Sequence, residues 1–473
     1  MKKEEIIEVT SGKMSDELYN KLSKGKKDRN KIEEYYNEFN LKDRDIRDSQ
    51  IGKTLKNKKI GTGEKMKIKI PVRIPASFQN KIVNTSVAFE FAEPVKLLPS
   101  EENELSEEVK RIWDVNRMDS KLQKLKIIQR SQTQAALIFF IKKVESDKAI
   151  NVDLGVNTNN QIKCRILDYK SGNFFPVFDQ YRDMKLFVFE FNTNYDESIH
   201  VWVYDEKHIH KYERKGSVWT YAREAHGFSK IPVVYLSQDE PEYYGVKEII
   251  DRLETSCSKL GNSNDYSGHP ILFTVGEIKG MPDKDEEGKM INAPIKKASG
   301  PNGKPQHGDA KFLTHDNAPD SVKLEMETLE NWAYSLSSTP NISFNNLKGI
   351  GNVSGVALKL MFLDSILKAK MNEGDNKTDI QRIINVIISG IITSIKQDYS
   401  SMATSMIYDV KFGDVLPNDL ADVVSTLVEA VEGKVLSRER AIELLSIVEN
   451  ASEEMEKIEN ESQKTENKQL NNK

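Results

Sequence analysis

Only two cysteines, Cys164 and Cys257, occur in 473 residues, far apart and without a C-x-x-C. That excludes a disulfide framework and a cysteine zinc site, and it makes a reducing compartment the expectation. Long apolar runs are also missing. The most apolar stretch, Ile380 to Ile395, is broken by Asn385, Ser389 and Gly390 and is too short to span a bilayer. The opening residues, MKKEEIIEVTSGKMSDEL, hold no apolar core of signal-peptide length. The expectation is a soluble, intracellular chain with no membrane element. Apolar residues make up 38% of the chain against 30% charged, a balance that suits long exposed helices or a subunit that buries surface on assembly. A net charge of −4 gives no global basic footprint for nucleic acid.

Motifs that carry chemistry are scarce. No G-x-x-x-x-G-K-[ST] occurs; Gly52-Lys53-Thr54 comes nearest, with Arg47 where the leading Gly is needed. Neither G-x-S-x-G nor H-E-x-x-H is present. His208 and His210 fall on one face of a strand, but Lys207 and Lys211 beside them disfavour a cation, so they read as exposed strand histidines. Asp283, Asp285, Glu286 and Glu287 lack EF-hand spacing and read as a solvated turn. No cofactor and no metal are expected.

What is present is organised around Pro340 to Lys370. An Asn- and Gly-rich loop there joins one helix to another, and Gly349, Gly351 and Gly355 let it take positive φ. Ser354 reads as the N-cap of a helix with Val356, Leu360, Leu363 and Leu367 on one face. Lys348 is the only charged side chain from Pro340 to Leu358. The glycine spacing also raises a dinucleotide site, which needs a buried strand just before it. The polar residues NISFNNLK that precede it, and the helices that follow, argue against that reading.

Elsewhere, Ile32, Tyr35, Tyr36 and Phe39 recur on one face of a helix, and Ile74 to Leu98 reads as a helix of one or two turns followed by a strand. A helix over Ser106 to Arg130, capped by Ser106, leads to a strand over Gln134 to Val144. Residues 136–236 alternate at period two in short pieces, the pattern of an antiparallel sheet. Two helices with narrow apolar seams, Tyr243 to Leu260 and Ser321 to Ser338, bracket a Gly/Pro/Lys/Asp-rich insertion. After the loop come helices at Val356–Met371, Thr378–Lys396, Pro417–Val431 and Ser437–Val448, with a strand at Tyr408–Leu416. From Glu453 the tail is almost devoid of apolar residues, so it is expected to be frayed or disordered.

Asn352-Val353-Ser354-Gly355-Val356-Ala357-Leu358-Lys359 resembles the N-x-SGVALK signature of tailed-bacteriophage portal proteins, the head-to-tail connectors of long-tailed phages. Tyr35-Tyr36 is similar to that family's YY-x-G, with Glu38 in place of Gly. Ala92-Glu93-Pro94-Val95 stands where the family has a G-x-P-V turn, again without the Gly. His226 to Val234 is similar to its H-x-f-g-x-iPvv strand, and Val410–Phe412, Leu416–Asp419 and Gly433–Ser437 to motifs near its end.

The resemblance implies an α+β portal fold with these parts: a helical arm (1–60), a wing of helices and antiparallel strands (61–242), a first stem helix (243–266) and a clip (267–320). A second stem helix (321–338), a tunnel loop (339–353), wing and crown helices (354–448) and a disordered polar tail (449–473) complete it. It implies a structural protein rather than an enzyme: a dodecameric ring at one capsid vertex that passes double-stranded DNA during packaging and ejection. Its partners would be copies of itself, DNA, the terminase large subunit, a head–tail adaptor, and the major capsid and scaffold proteins. Its place would be the virion, and the host cytoplasm during assembly. Lys348 is either a solvated loop lysine or, by the resemblance, a phosphate contact repeated around the ring, with Asn341, Asn345 and Asn346 beside it. Lys284, Lys289, Lys296 and Lys297 would lie on the clip's docking surface. The alternatives are a nucleotide-binding enzyme using Gly349–Gly355 and a capsid or scaffold component that forms no ring.

Overall fold

The computed structural model describes residues 3–42, 44–47, 55–60, 66–143, 160–193, 198–267, 271–275, 289–293, 309–313, 319–341, 360–413, 420–445, 454–455 and 457–460. One compact unit comprises residues 1–341 and 364–413. Its centre is a three-stranded antiparallel sheet of β4 (Gln134–Lys143), β5 (Asn160–Leu167) and β11 (Val233–Ser237), with β4 in the middle. Side chains alternate across a strand, and β4 is buried on both faces from Gln134 to Phe139. Ala135, Leu137 and Phe139 pack into a large core with the helices, while Ala136 and Ile138 pack toward a second sheet.

That second sheet has five antiparallel strands in the order β10–β9–β8–β7–β6. They are β6 (Asn173–Phe178), β7 (Met184–Asn192), β8 (Ile199–Tyr204), β9 (His208–Lys215) and β10 (Val218–Ala225). Pro176, which has no N–H to give, sits on the edge strand β6, where a proline is tolerated. In β7, Phe187 and Phe189 face the first sheet, whereas Leu186 and Val188 face the outer helices α1 (Lys3–Thr10) and α2 (Asp16–Leu22). The layers therefore run outer helices, five strands, three strands, inner helices. The inner helices are α4 (Phe78–Phe91), α5 (Glu104–Val115) and α6 (Met118–Gln132), with α3 (Arg29–Phe39) against α6.

A short ribbon of β1 (Lys58–Ile60) and β2 (Lys67–Lys69) precedes α4, and β3 (Lys96–Pro99) pairs with β15 (Tyr408–Lys411). After β11 the chain forms α7 (Lys247–Ser267), then strands β12 (Ile271–Val275), β13 (Lys289–Ala293) and β14 (Asp309–Leu313), and returns in α8 (Pro319–Leu336). These three strands form their own sheet, β12 parallel to β13 and antiparallel to β14. Helices α7 and α8 run antiparallel: Ile250 and Ala333 share one buried cluster, and Arg252 reaches Glu325 at 2.7 Å farther along. The unit ends with α9 (Leu363–Ser394) and α10 (Ser400–Ser405). A second unit, residues 342–363 and 414–473, contains α11 (Leu420–Glu432) and α12 (Arg438–Leu445). Arg440 N–H donates to the Ser437 hydroxyl at 3.2 Å, an N-cap for α12.

Several sequence expectations change. Helix α4 has 14 residues rather than one or two turns. The cap of α5 is Asn103, with Ser106 as its capping-box partner; the two exchange side-chain-to-backbone bonds. The Gly/Pro/Lys/Asp-rich insertion carries a sheet, with β13 beside β12 and β14. His210 is 1% exposed rather than an open strand residue. Its Nε2 meets Asp205 at 2.8 Å and its Nδ1 meets the Tyr221 hydroxyl at 3.0 Å. Burial pushes the Asp205 carboxyl up, but the bonds from His210 and from the Lys207 and His208 N–H groups together hold it far below the ordinary carboxylate range.

Where two helices were expected after the loop, α9 is continuous through Gly374, beside which a Cβ would meet open space. Gly390 on the same helix is different: a Cβ there would lie 2.5 Å from the Phe228 ring and 2.9 Å from Ile162 Cδ1. The glycine lets helix and sheet approach closely. Gly390→Ala is expected to lower stability by about 1–3 kcal/mol through overpacking, despite alanine's higher helix propensity. A urea midpoint equal to the parent's would count against that close contact.

Candidate functional site: the anchored base of the central loop

Most residues singled out from the sequence lie outside the described residues: Lys348, Asn345, Asn346, Gly349, Gly351, Ser354 and Gly355 of the loop, and Lys284, Lys296 and Lys297 of the insertion. Lys289 opens β13, and Asn341 follows Pro340 in a half-buried position. The described chain supplies both ends of the loop, and they are built to a definite pattern.

Helix α8 stops in a Schellman cap. Ser338 takes a left-handed φ of 54°, its N–H donates to Ser335 O at 3.1 Å, and the Thr339 N–H reaches back to Tyr334 O at 2.9 Å. A non-glycine residue there is strained by about 1–2 kcal/mol, so the surroundings must hold it. They do so through α9. Ser365 donates its hydroxyl to Ser338 O at 2.6 Å, and Lys368 Nζ donates to Ser337 O at 2.9 Å. The Ser337 hydroxyl in turn bonds Thr339 Oγ1 at 2.9 Å. The two ends of the loop are thus tied together at its base.

The tie continues inward. Along α9, Ser365, Lys368, Asn372, Asn376 and Asp379 are spaced three, four, four and three residues apart, which puts them on one face. Lys368 pairs with Glu242, the residue that leads into the turn before α7. Asn372 and Asn376 donate to the two oxygens of Glu90 at 2.8 and 2.6 Å, and Arg130 holds the same carboxylate with Nη2 at 2.7 and 2.6 Å. Arg130 Nη1 also bonds Ser86, whose hydroxyl donates to Glu242 at 3.2 Å. Lys126 pairs with Asp379 at 2.8 Å. Burial pushes the Glu242 carboxyl up, but the charges of Lys368 and Arg130 and the bonds from Lys368 and Ser86 outweigh it, so its pKa lies below the ordinary value. One polar network therefore joins α4, α6, the entry to α7 and the start of α9.

The α7 helix is held by a second device. Glu254, Ser258 and Asn262 stand at successive i, i+4 positions and bond the backbone of the extended segment beside them. Ala76 N–H reaches Glu254 at 2.7 Å, Ile74 N–H reaches Ser258 at 2.9 Å, and Val72 N–H reaches Asn262 at 2.9 Å. The spacings match because four helical residues rise about 6 Å and two extended residues about 6.6 Å. Buried Arg44 joins Glu38 to Glu254, the latter at 2.5 Å. Burial raises the Glu254 carboxyl, and its bonds from Ala76 and Arg44 do not cancel that effect.

The apolar residues of the loop's flanks point the other way. Leu363, Leu367 and Met371 of α9 are exposed, Met371 to 84%, while on the polar face Ser365 and Asn376 are buried and Lys368 and Asn372 half-buried. On α8, Leu324, Trp332 and Leu336 are likewise exposed. The apolar spacing is plain in the sequence, whereas the polar seam shows there only as polar residues at three- and four-residue steps. A helix, not a buried strand, leads to Thr339, and a helix follows at Leu363, which is not the setting of a dinucleotide loop. Among the described residues, no group of His, Cys, Asp and Glu is arranged to hold a metal ion, and no helix is long and apolar enough to cross a membrane.

Among curated proteins none matches the sequence. Among solved structures, a chain from the virion of a native gene transfer agent particle is similar at 11% identity with a TM-score of 0.38, over 80% of this chain and 95% of that one. A family model described as "Phage portal protein, SPP1 Gp6-like" matches residues 16–468, a span that holds every motif of the resemblance from Tyr35 to Ser437. The chain belongs to the phage portal protein family.

Proposed function

We propose that this portal protein assembles into a dodecameric ring at one capsid vertex, with double-stranded DNA passing through its axis. The observation that carries the reading is the inverted start of α9, which turns Lys368, Asn372 and Asn376 inward to polar partners and exposes Leu363, Leu367 and Met371. Fully burying one such side chain contributes about 1.5–3 kcal/mol, so a face of this kind is suited to a neighbouring copy. Copies related head to tail by a closing rotation form a ring.

In this reading α7 and α8 are the stem and the β12–β14 sheet belongs to the clip. Lys284, Lys289, Lys296 and Lys297 of the clip face the terminase large subunit during packaging and a head–tail adaptor afterwards. The helices around α4, α6 and α9 form the wing that meets capsid and scaffold proteins. The loop carrying Lys348, Asn341, Asn345 and Asn346 faces the DNA. Each copy then offers one point charge to a phosphate, a contact weak enough for the duplex to slide. The anchored base at Ser337, Ser338, Ser365 and Lys368 gives that loop a fixed root. The role is a conduit and docking platform, not catalysis.

Lys348→Ala is expected to leave particle assembly intact and reduce the yield of DNA-filled heads severalfold, read by nuclease-protected DNA per capsid. A yield equal to the parent's removes Lys348 from the DNA contact.

A further inference from the structure

The ribbon of β1 and β2 has no place in the loop or the stem, and its composition is one-sided. Four of its six strand residues are lysine: Lys58, Lys59, Lys67 and Lys69. Lys56 lies just before it, and residues 55–76 hold seven lysines and arginines against one acid, Glu64. The register sets Lys58 opposite Lys69 and Ile60 opposite Lys67. Lys56, Lys59 and Lys69 are exposed, as are Met66, Ile68 and Ile70.

The ribbon is also firmly based. Arg73 donates to Leu55 O at 3.0 Å and to Asn57 Oδ1 at 2.7 Å, closing its foot. The extended segment leaving it is the one bonded to α7 through Asn262, Ser258 and Glu254. Gly261 of α7 lets Val72 approach, a Cβ there lying 3.2 Å from Val72 Cγ1.

We infer that the β1–β2 ribbon is a second nucleic-acid contact, binding the phosphate backbone of double-stranded DNA without regard to sequence. The exposed Lys56, Lys59 and Lys69 offer cations to a polyanion, and a two-stranded ribbon has the width that a DNA major groove admits. Lysines on ribbon edges also guard against pairing with another chain, and that role alone predicts no DNA binding. The inference concerns residues apart from the loop and needs no ring.

The test is fluorescence anisotropy of a labelled 30-base-pair duplex with the full chain, from 50 to 200 mM KCl. The Lys56→Gln/Lys59→Gln/Lys69→Gln variant is expected to bind about tenfold or more weakly at 50 mM. Its slope of log affinity against log salt is expected to fall by about 2–3, since each neutralised phosphate contributes about 0.9. A control that loses equal charge at exposed positions elsewhere, Lys110→Gln/Lys124→Gln/Lys215→Gln, is expected to bind as the parent does. Unchanged binding by the ribbon variant overturns the inference. Equal weakening in the control, or displacement of the duplex by polyglutamate as readily as by unlabelled duplex, overturns it too. Loss of DNA-filled heads in Lys348→Ala with the ribbon inactive would separate failure of this inference from failure of the portal reading.

Discussion

Arg130→Met lowers the unfolding free energy by about 3–5 kcal/mol, the cost of leaving one charge of a buried pair without its partner. Arg130 is the hub of the polar network. Its side chain and that of Glu90 are 6% and 2% exposed, so water cannot replace the lost guanidinium. Asn372 and Asn376 still donate to Glu90, but two amide dipoles do not neutralise a carboxylate. Adding Glu90→Gln to Arg130→Met restores part of the loss, because that buried charge is gone as well. Glu242 loses one of the two cations that hold its pKa down, so the share of stability that this group loses in acid is smaller in the variant than in the parent. A carboxylate with a depressed pKa stabilises the fold above its unfolded value, near pH 4, and that stability fades as pH falls through the folded value. Urea unfolding measures the loss, and one below about 1 kcal/mol would mean that the network is solvated and the loop's root is not rigid.

Leu367→Asp/Met371→Asp acts on assembly and spares the fold. Both side chains are more than half exposed in the single chain, so their replacement changes chain stability by only about 0.5 kcal/mol per site. In a ring each copy loses the burial of both groups, about 1.5–3 kcal/mol apiece, and must also desolvate a carboxylate. Repeated at every interface, that prevents closure. The expected result is a folded chain with the parent's circular dichroism that elutes as a subunit. Rings that persist in this variant would show that the exposed face of α9 is not the contact between copies.

The parts of the fold that could be read from the sequence are those whose signal is local. The strand expected over Gln134 to Val144 is β4, whose apolar run reflects burial on both faces, and the period-two stretch over 136–236 holds β5 to β10. The seams of α7 and α8 were visible because their partners are each other. What could not be read depends on distant segments. The polar steps from Ser365 to Asp379 look like a solvated helix face until Glu90, Lys126 and Glu242 are brought against them. Because a polar residue is placed by its partner, the expected break near Gly374 is absent: Asn372 and Asn376 are bonded on one side and the glycine faces open space on the other. His210 looked exposed for the same reason, its lysine neighbours being visible and Asp205 and Tyr221 not.

The central claim is that copies of this chain close into a ring, and native mass spectrometry tests it most directly. The chain is measured alone and after co-expression with the capsid and scaffold proteins of the same phage. A closed species of about a dozen copies, with an axial hole in negative-stain images, is the predicted result. Only monomers and dimers under both conditions would contradict it.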